Sequence, residues 1–122
     1  MKLMQKLVLT FGLFTACATL AEAHAFLDHA EPKVGSTVKG SPTEVKIWFT
    51  EELEGAFSKI EVFDAQGKEV DQKNVKVDPA DKSVMSVALP KLPAGTYKVV
   101  WNAVAVDTHH TTGTFTFEVT RP

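Results

Sequence analysis

Phe115, Phe117 and Val119 alternate with Thr114, Thr116 and Glu118, and Val45, Ile47 and Phe49 alternate with Lys46, Trp48 and Thr50. A strict period of two puts every apolar residue on one side of an extended chain, so both runs predict strands with one face in a core. Val84, Ser86 and Ala88 against Met85, Val87 and Leu89 repeat the pattern, and 97–106 is apolar on both faces, as expected of a central strand. Trp48 is bulky enough to predict that the outer face of its strand is partly covered as well. The end of the chain, 114–119, is expected well inside its sheet.

Between these runs lie turn signals. Pro32, Gly35 and Gly40 favour turns across 30–41, Asp64-Ala65-Gln66-Gly67 closes one strand, Asp78-Pro79 marks another turn, and Pro90 to Gly95 precedes Thr96-Tyr97. The segment 24–27 is short enough for an edge strand. The strands at 45–50 and 57–63, joined through the acidic run 51–55, read as a hairpin with a longer loop. Leu92 to Tyr97 is the kind of stretch that forms a tyrosine corner, although Tyr97 reads equally well as the first core residue of its strand. About seven short strands with no helical period predict an all-β fold. It would be a single Greek-key β-sandwich or barrel, immunoglobulin-like or cupredoxin-like.

Residues 1–23 read as a cleaved secretory signal peptide. Lys2 and Lys6 form its basic start, 7–20 an uncharged apolar stretch, and Ala21-Glu22-Ala23 a small-x-small cleavage site. Lipoprotein processing at Cys17 is the alternative, with Phe14 standing where Leu is usual. Cleavage leaves 24–122 as one domain and removes Cys17, the only cysteine, so an exported domain would fold without a disulfide. The whole chain has a formal charge of −2, which leaves no basic surplus to attract nucleic acid or anionic lipid.

The signal peptide gives chemical meaning to His24. As a new N-terminus it offers an α-amine of pKa about 8 beside its own imidazole, two nitrogens able to chelate one ion. Near the other end, Asp107-Thr108-His109-His110 holds a carboxylate and an imidazole two positions apart, on the same side of an extended backbone. By itself that stretch is also a common polar turn. Together His24, Asp107 and His109 make a three-nitrogen, one-oxygen set suited to tetragonal Cu(II), with tetrahedral Zn(II) the alternative that geometry has to decide. Glu51, after the strand ending at Thr50, is a candidate to hydrogen-bond a metal-bound ligand from outside. Met85 is the only methionine after residue 23, so no soft-ligand Cu(I) site is evident. His29 is unassigned, and His110 is either a spare ligand or the start of the next strand. Nothing resembles a nucleophile elbow, a cysteine nucleophile or a phosphate loop.

These residues resemble the periplasmic copper-binding CopC proteins across essentially all of 24–122. The resemblance rests on His24-Ala25-Phe26-Leu27, Ala30-Glu31-Pro32 with Gly35, Trp48-Phe49-Thr50-Glu51 and Phe57-Ser58-Lys59. It continues through 64–68, 93–97, Val106-Asp107-Thr108-His109 and 113–117. It implies a periplasmic Cu(II) carrier or buffer acting in copper homeostasis or resistance, and not an enzyme. Its metal ligands would be His24, Asp107 and His109, with Glu51 behind them. A CopD-type inner-membrane protein is the implied partner, and no small-molecule substrate is implied. The region from Asp64 to Val75 lacks the methionines that some members use for Cu(I), which implies a Cu(II)-only member, and His110 stands where relatives commonly carry Pro. The competing readings are a small copper oxidase or polysaccharide monooxygenase, and a metal-free interaction sandwich.

Overall fold

The computed structural model describes residues 26–122. The predicted signal peptide and His24 therefore lie outside the described residues. Eight strands build two four-stranded sheets that face each other. One sheet has the order β1 (Leu27–Glu31), β3 (Glu44–Phe49), β6 (Val84–Ala88), β5 (Lys76–Val77). The other has the order β2 (Thr37–Lys39), β8 (His110–Thr120), β7 (Gly95–Val104), β4 (Lys59–Phe63). All pairings are antiparallel except that of β2 with β8.

The alternating runs supply the space between the sheets. Val45, Ile47 and Phe49 enter from β3, Met85 and Val87 from β6, Val99 and Trp101 from β7, and Phe115, Phe117 and Val119 from β8. Such interdigitation of two inner faces is what a period-two pattern provides, and non-directional burial of this area is the main stabilising term. The last strand is interior, flanked by β2 and β7. Tyr97 fills both of its expected roles: its ring is buried against Phe117, and its hydroxyl donates to the Pro93 carbonyl at 2.6 Å.

Three details depart from expectation. The strand count is eight rather than about seven, because Thr37–Lys39, between the left-handed glycines Gly35 and Gly40, runs parallel to β8. The first strand begins at Leu27, where it pairs with Phe49, rather than ending there. The strands at 44–49 and 59–63 form no hairpin, since they belong to different sheets. The acidic run between them crosses from one sheet to the other through a 3₁₀ turn, Gly55–Phe57.

Trp48, on the outer face of β3, is covered as expected, and the cover is specific. His29, its cross-strand partner, stacks on it with ring centroids 4.3 Å apart and planes 13° apart, and Lys46 Nζ sits 5.2 Å from the ring centre. Asp28 holds His29 Nδ1 at 2.8 Å. His29 thus serves the outer surface of the β1–β3 pair.

Candidate metal site

β7 and β8 form the longest pairing in the molecule, ending at the pair Val104 and His110. The five residues between them close tightly. Ala105 N–H donates to the His109 carbonyl at 2.9 Å, and Thr108 N–H donates to the Ala105 carbonyl at 2.8 Å. Thr108 takes a left-handed backbone, φ 75°, which is costly for a β-branched residue. Its hydroxyl donates to the Asp107 carbonyl.

This turn brings Asp107 and His109 together. Asp107 Oδ1 accepts the His109 backbone N–H at 3.1 Å, and its Oδ2 lies 3.2 Å from His109 Nδ1. The expected convergence is present, but its cause is a turn rather than the alternation of an extended strand. Both side chains remain accessible, 40% exposed for Asp107 and 54% for His109. A carboxylate on Nδ1 of a histidine fixes the orientation of the ring, a common arrangement in metal sites.

A second segment frames the turn. Thr50 N–H donates to the Phe26 carbonyl at 2.9 Å, and Phe26 N–H donates to Thr50 Oγ1 at 3.0 Å. Two residues further, the Glu52 carbonyl accepts Val106 N–H at 3.1 Å, and Leu53 bridges to Ala105. Residues 50–53 therefore run between the first described residue and the Asp107–His109 turn. Glu51 lies in the middle of that segment and is exposed. Thr50 was not singled out from sequence. Its sequence signals are a hydroxyl residue ending an alternating strand and its place in Trp48-Phe49-Thr50-Glu51, and the bond it makes spans 24 positions.

Among the described residues, no three His, Cys, Asp or Glu side chains gather closely enough to hold an ion. Asp107 and His109 are a pair, and His24 lies outside the described residues, two positions before Phe26. His110 belongs to the exposed face of β8, with Thr112 and Thr114, rather than to the turn. Met85 is fully buried, out of reach of any ion at the surface. An open groove of about 620 Å³ lies on the outer β4–β7 face between Phe63, Lys98 and Val100, and no histidine lines it.

The CopC domain family model matches residues 27–120. Copper resistance protein C of Escherichia coli is 35% identical over 126 residues, covering 98% of this chain and 99% of that protein. Copper transport protein CutJ of Bacillus subtilis is 34% identical over 98 residues, 80% of this chain. The match spans only 18% of CutJ's own length. The crystal structure of CopC from Methylosinus trichosporium OB3b superposes with a TM-score of 0.76 at 31% identity, covering 80% of this chain and 95% of that one. Matched along nearly the whole described sandwich in both sequence and fold, the chain belongs to the CopC family.

Proposed function

We propose that this protein binds Cu(II) in the periplasm and carries or buffers it, through the amine and imidazole of His24, the Asp107 carboxylate and the His109 imidazole. The observation that carries this reading is the pair of attachments on 50–53. Thr50 holds the chain at Phe26, and Glu52 holds it at Val106, one residue before Asp107. Two residues of chain reach at most about 7 Å, so the proposed His24 ligand needs to span no more than that from Phe26. Nitrogen and carboxylate donors without exposed sulfur favour Cu(II) over Cu(I). The names of the relatives, copper resistance and copper transport, support the same metal without specifying its oxidation state.

In this reading Asp107 orients His109 and supplies a negative charge, and Glu51 accepts a hydrogen bond from a metal-bound group. The signal peptide delivers the protein to the periplasm and, on cleavage, creates the chelating amine. A CopD-type inner-membrane protein is the proposed recipient. The test is a competitive Cu(II) titration of two forms, one beginning at His24 and one with a single extra residue before it. The extended form is expected to bind at least tenfold more weakly, in the range that disturbing a site's supporting groups costs. Equal affinities would remove the amine from the ligand set, and no binding by either form would remove the copper reading altogether. Mass spectrometry of the exported protein checks the cleavage after Ala23.

A further inference from the structure

Phe57-Ser58-Lys59 belongs to the sequence pattern of this chain, yet none of the three side chains takes part in the candidate metal site. Ser58 is one of three buried polar residues among those described, only 7% exposed. Its hydroxyl makes two short hydrogen bonds, with the Val104 carbonyl a longer alternative acceptor at 3.5 Å. Oγ donates to the Glu54 carbonyl at 2.9 Å and accepts Val104 N–H at 3.0 Å.

The topology explains why a side chain is needed there. β4 accompanies β7 from the pair Phe63–Lys98 to the pair Lys59–Asn102, and then its chain turns away into the 3₁₀ turn. Two residues past Asn102, Val104 presents its N–H and carbonyl to a side where no strand continues. Glu54 N–H takes the carbonyl at 2.8 Å, and Ser58 Oγ takes the N–H. Two residues further, Glu52 takes Val106 N–H. Ser58 therefore stands in for the missing strand and locks the 52–58 segment onto 104–106.

We propose that Ser58 is a positioning residue of the copper site, setting the Asp107–His109 turn in register with the segment that anchors Phe26. This rests on the copper reading above. The chain of attachments is continuous: Ser58 and Glu54 hold Val104, Glu52 holds Val106 beside Asp107, and Thr50 holds Phe26. Without the hydroxyl, Val104 N–H and the Glu54 carbonyl lose their shared partner in a place with little access to water. The segment then slips or lets water in, and the two halves of the ligand set lose their fixed separation.

The experiment compares Ser58→Ala and Ser58→Thr with Asp71→Ala in the protein beginning at His24. Asp71 is also buried and accepts two backbone N–H groups, from Val62 and Lys73, so its loss costs stability without touching the 104–109 region. Ser58→Ala is expected to weaken Cu(II) binding by about tenfold or more. It should also shift or split the parallel hyperfine pattern of the Cu(II) electron spin resonance spectrum. Ser58→Thr keeps a hydroxyl and should restore both, while Asp71→Ala should lower the urea midpoint and leave the spectrum unchanged. An unaltered spectrum and affinity in Ser58→Ala, or equal changes in Asp71→Ala, would overturn the proposal. Amide exchange of the metal-free proteins separates this question from the copper reading. Faster exchange at Val106 and Thr108 in Ser58→Ala alone supports the positioning role even if the parent binds no copper. Unchanged exchange there rejects it.

Discussion

Phe26 and Thr50 hold each other by two hydrogen bonds, one from the Phe26 N–H to Thr50 Oγ1 and one from the Thr50 N–H to the Phe26 carbonyl. The second is pure backbone and survives any substitution at 50 that keeps the N–H, proline alone excepted. The first depends on the hydroxyl. Thr50→Val, nearly the same shape, removes it alone. It should cost about 1 kcal/mol, a roughly fivefold loss of Cu(II) affinity if the anchor's worth is expressed in binding. A competition titration checks this, and an unchanged affinity would show that the second bond suffices to place the N-terminal strand.

Asp107 has two tasks that substitutions can separate. Asp107→Asn keeps an oxygen to accept the His109 N–H but removes the charge, whereas Asp107→Ala removes both. Asp107→Asn is expected to weaken Cu(II) binding at least about tenfold while the turn keeps its shape. Asp107→Ala should weaken it further and speed amide exchange at His109. Identical affinities in the two variants would mean that charge alone matters.

Thr108 occupies a conformation that suits glycine. Relief of the left-handed strain, offset by the greater freedom of glycine in the unfolded chain, leaves Thr108→Gly about 1 kcal/mol more stable. Urea unfolding of the metal-free protein measures this. A lower midpoint would mean that the bond from the Thr108 hydroxyl to the Asp107 carbonyl outweighs the strain.

The sandwich was legible wherever one face of a strand alone met the core. Val45, Ile47 and Phe49, or Phe115, Phe117 and Val119, declare their sheet face by local spacing, and Tyr97 declares its corner by the Pro-Gly stretch before it. Asp107 and His109 were legible as a pair because turn and strand alike bring positions two apart together. What was hidden depends on register between distant segments. The His29–Trp48 stack exists because β1 meets β3 with an irregularity between Leu27 and His29, which no local pattern encodes. Gly35 and Gly40 give Thr37–Lys39 the local signature of a turn, yet its backbone pairs with β8. The supposed hairpin across 51–55 failed for the same reason. Alternation says that two strands exist, not which sheet each joins.

Gly113 faces Trp101 across the β7–β8 pair, and a methyl group there would come within 2.5 Å of the indole. Trp101 is buried, with its ring edge-on to Phe49 at 5.1 Å, so it has little room to retreat. Gly113→Ala should therefore destabilise the domain by about 2 kcal/mol, as overpacking does, and alter the tryptophan emission. An unchanged urea midpoint would show that the indole swings aside freely.

Glu69 makes the stability of the fold depend on pH. Its pKa is raised above 4.5, first by a side-chain hydrogen bond to Asp71, then by burial and by the Asp71 charge, with Lys73 pulling the other way. Because the folded form holds this proton more tightly than the unfolded chain, the associated stability is fully present below about 4.5. It is lost as pH rises through the higher folded-state value. Glu69→Gln supplies an amide donor to Asp71 at every pH and gives up only a 3.7 Å ion pair to Lys73, of the exposed kind that contributes little. The variant should thus gain stability over the parent as pH climbs from 4 toward neutrality, the difference levelling off once Glu69 is ionised. Urea midpoints across that range measure it. A difference that stays constant with pH would place the proton elsewhere.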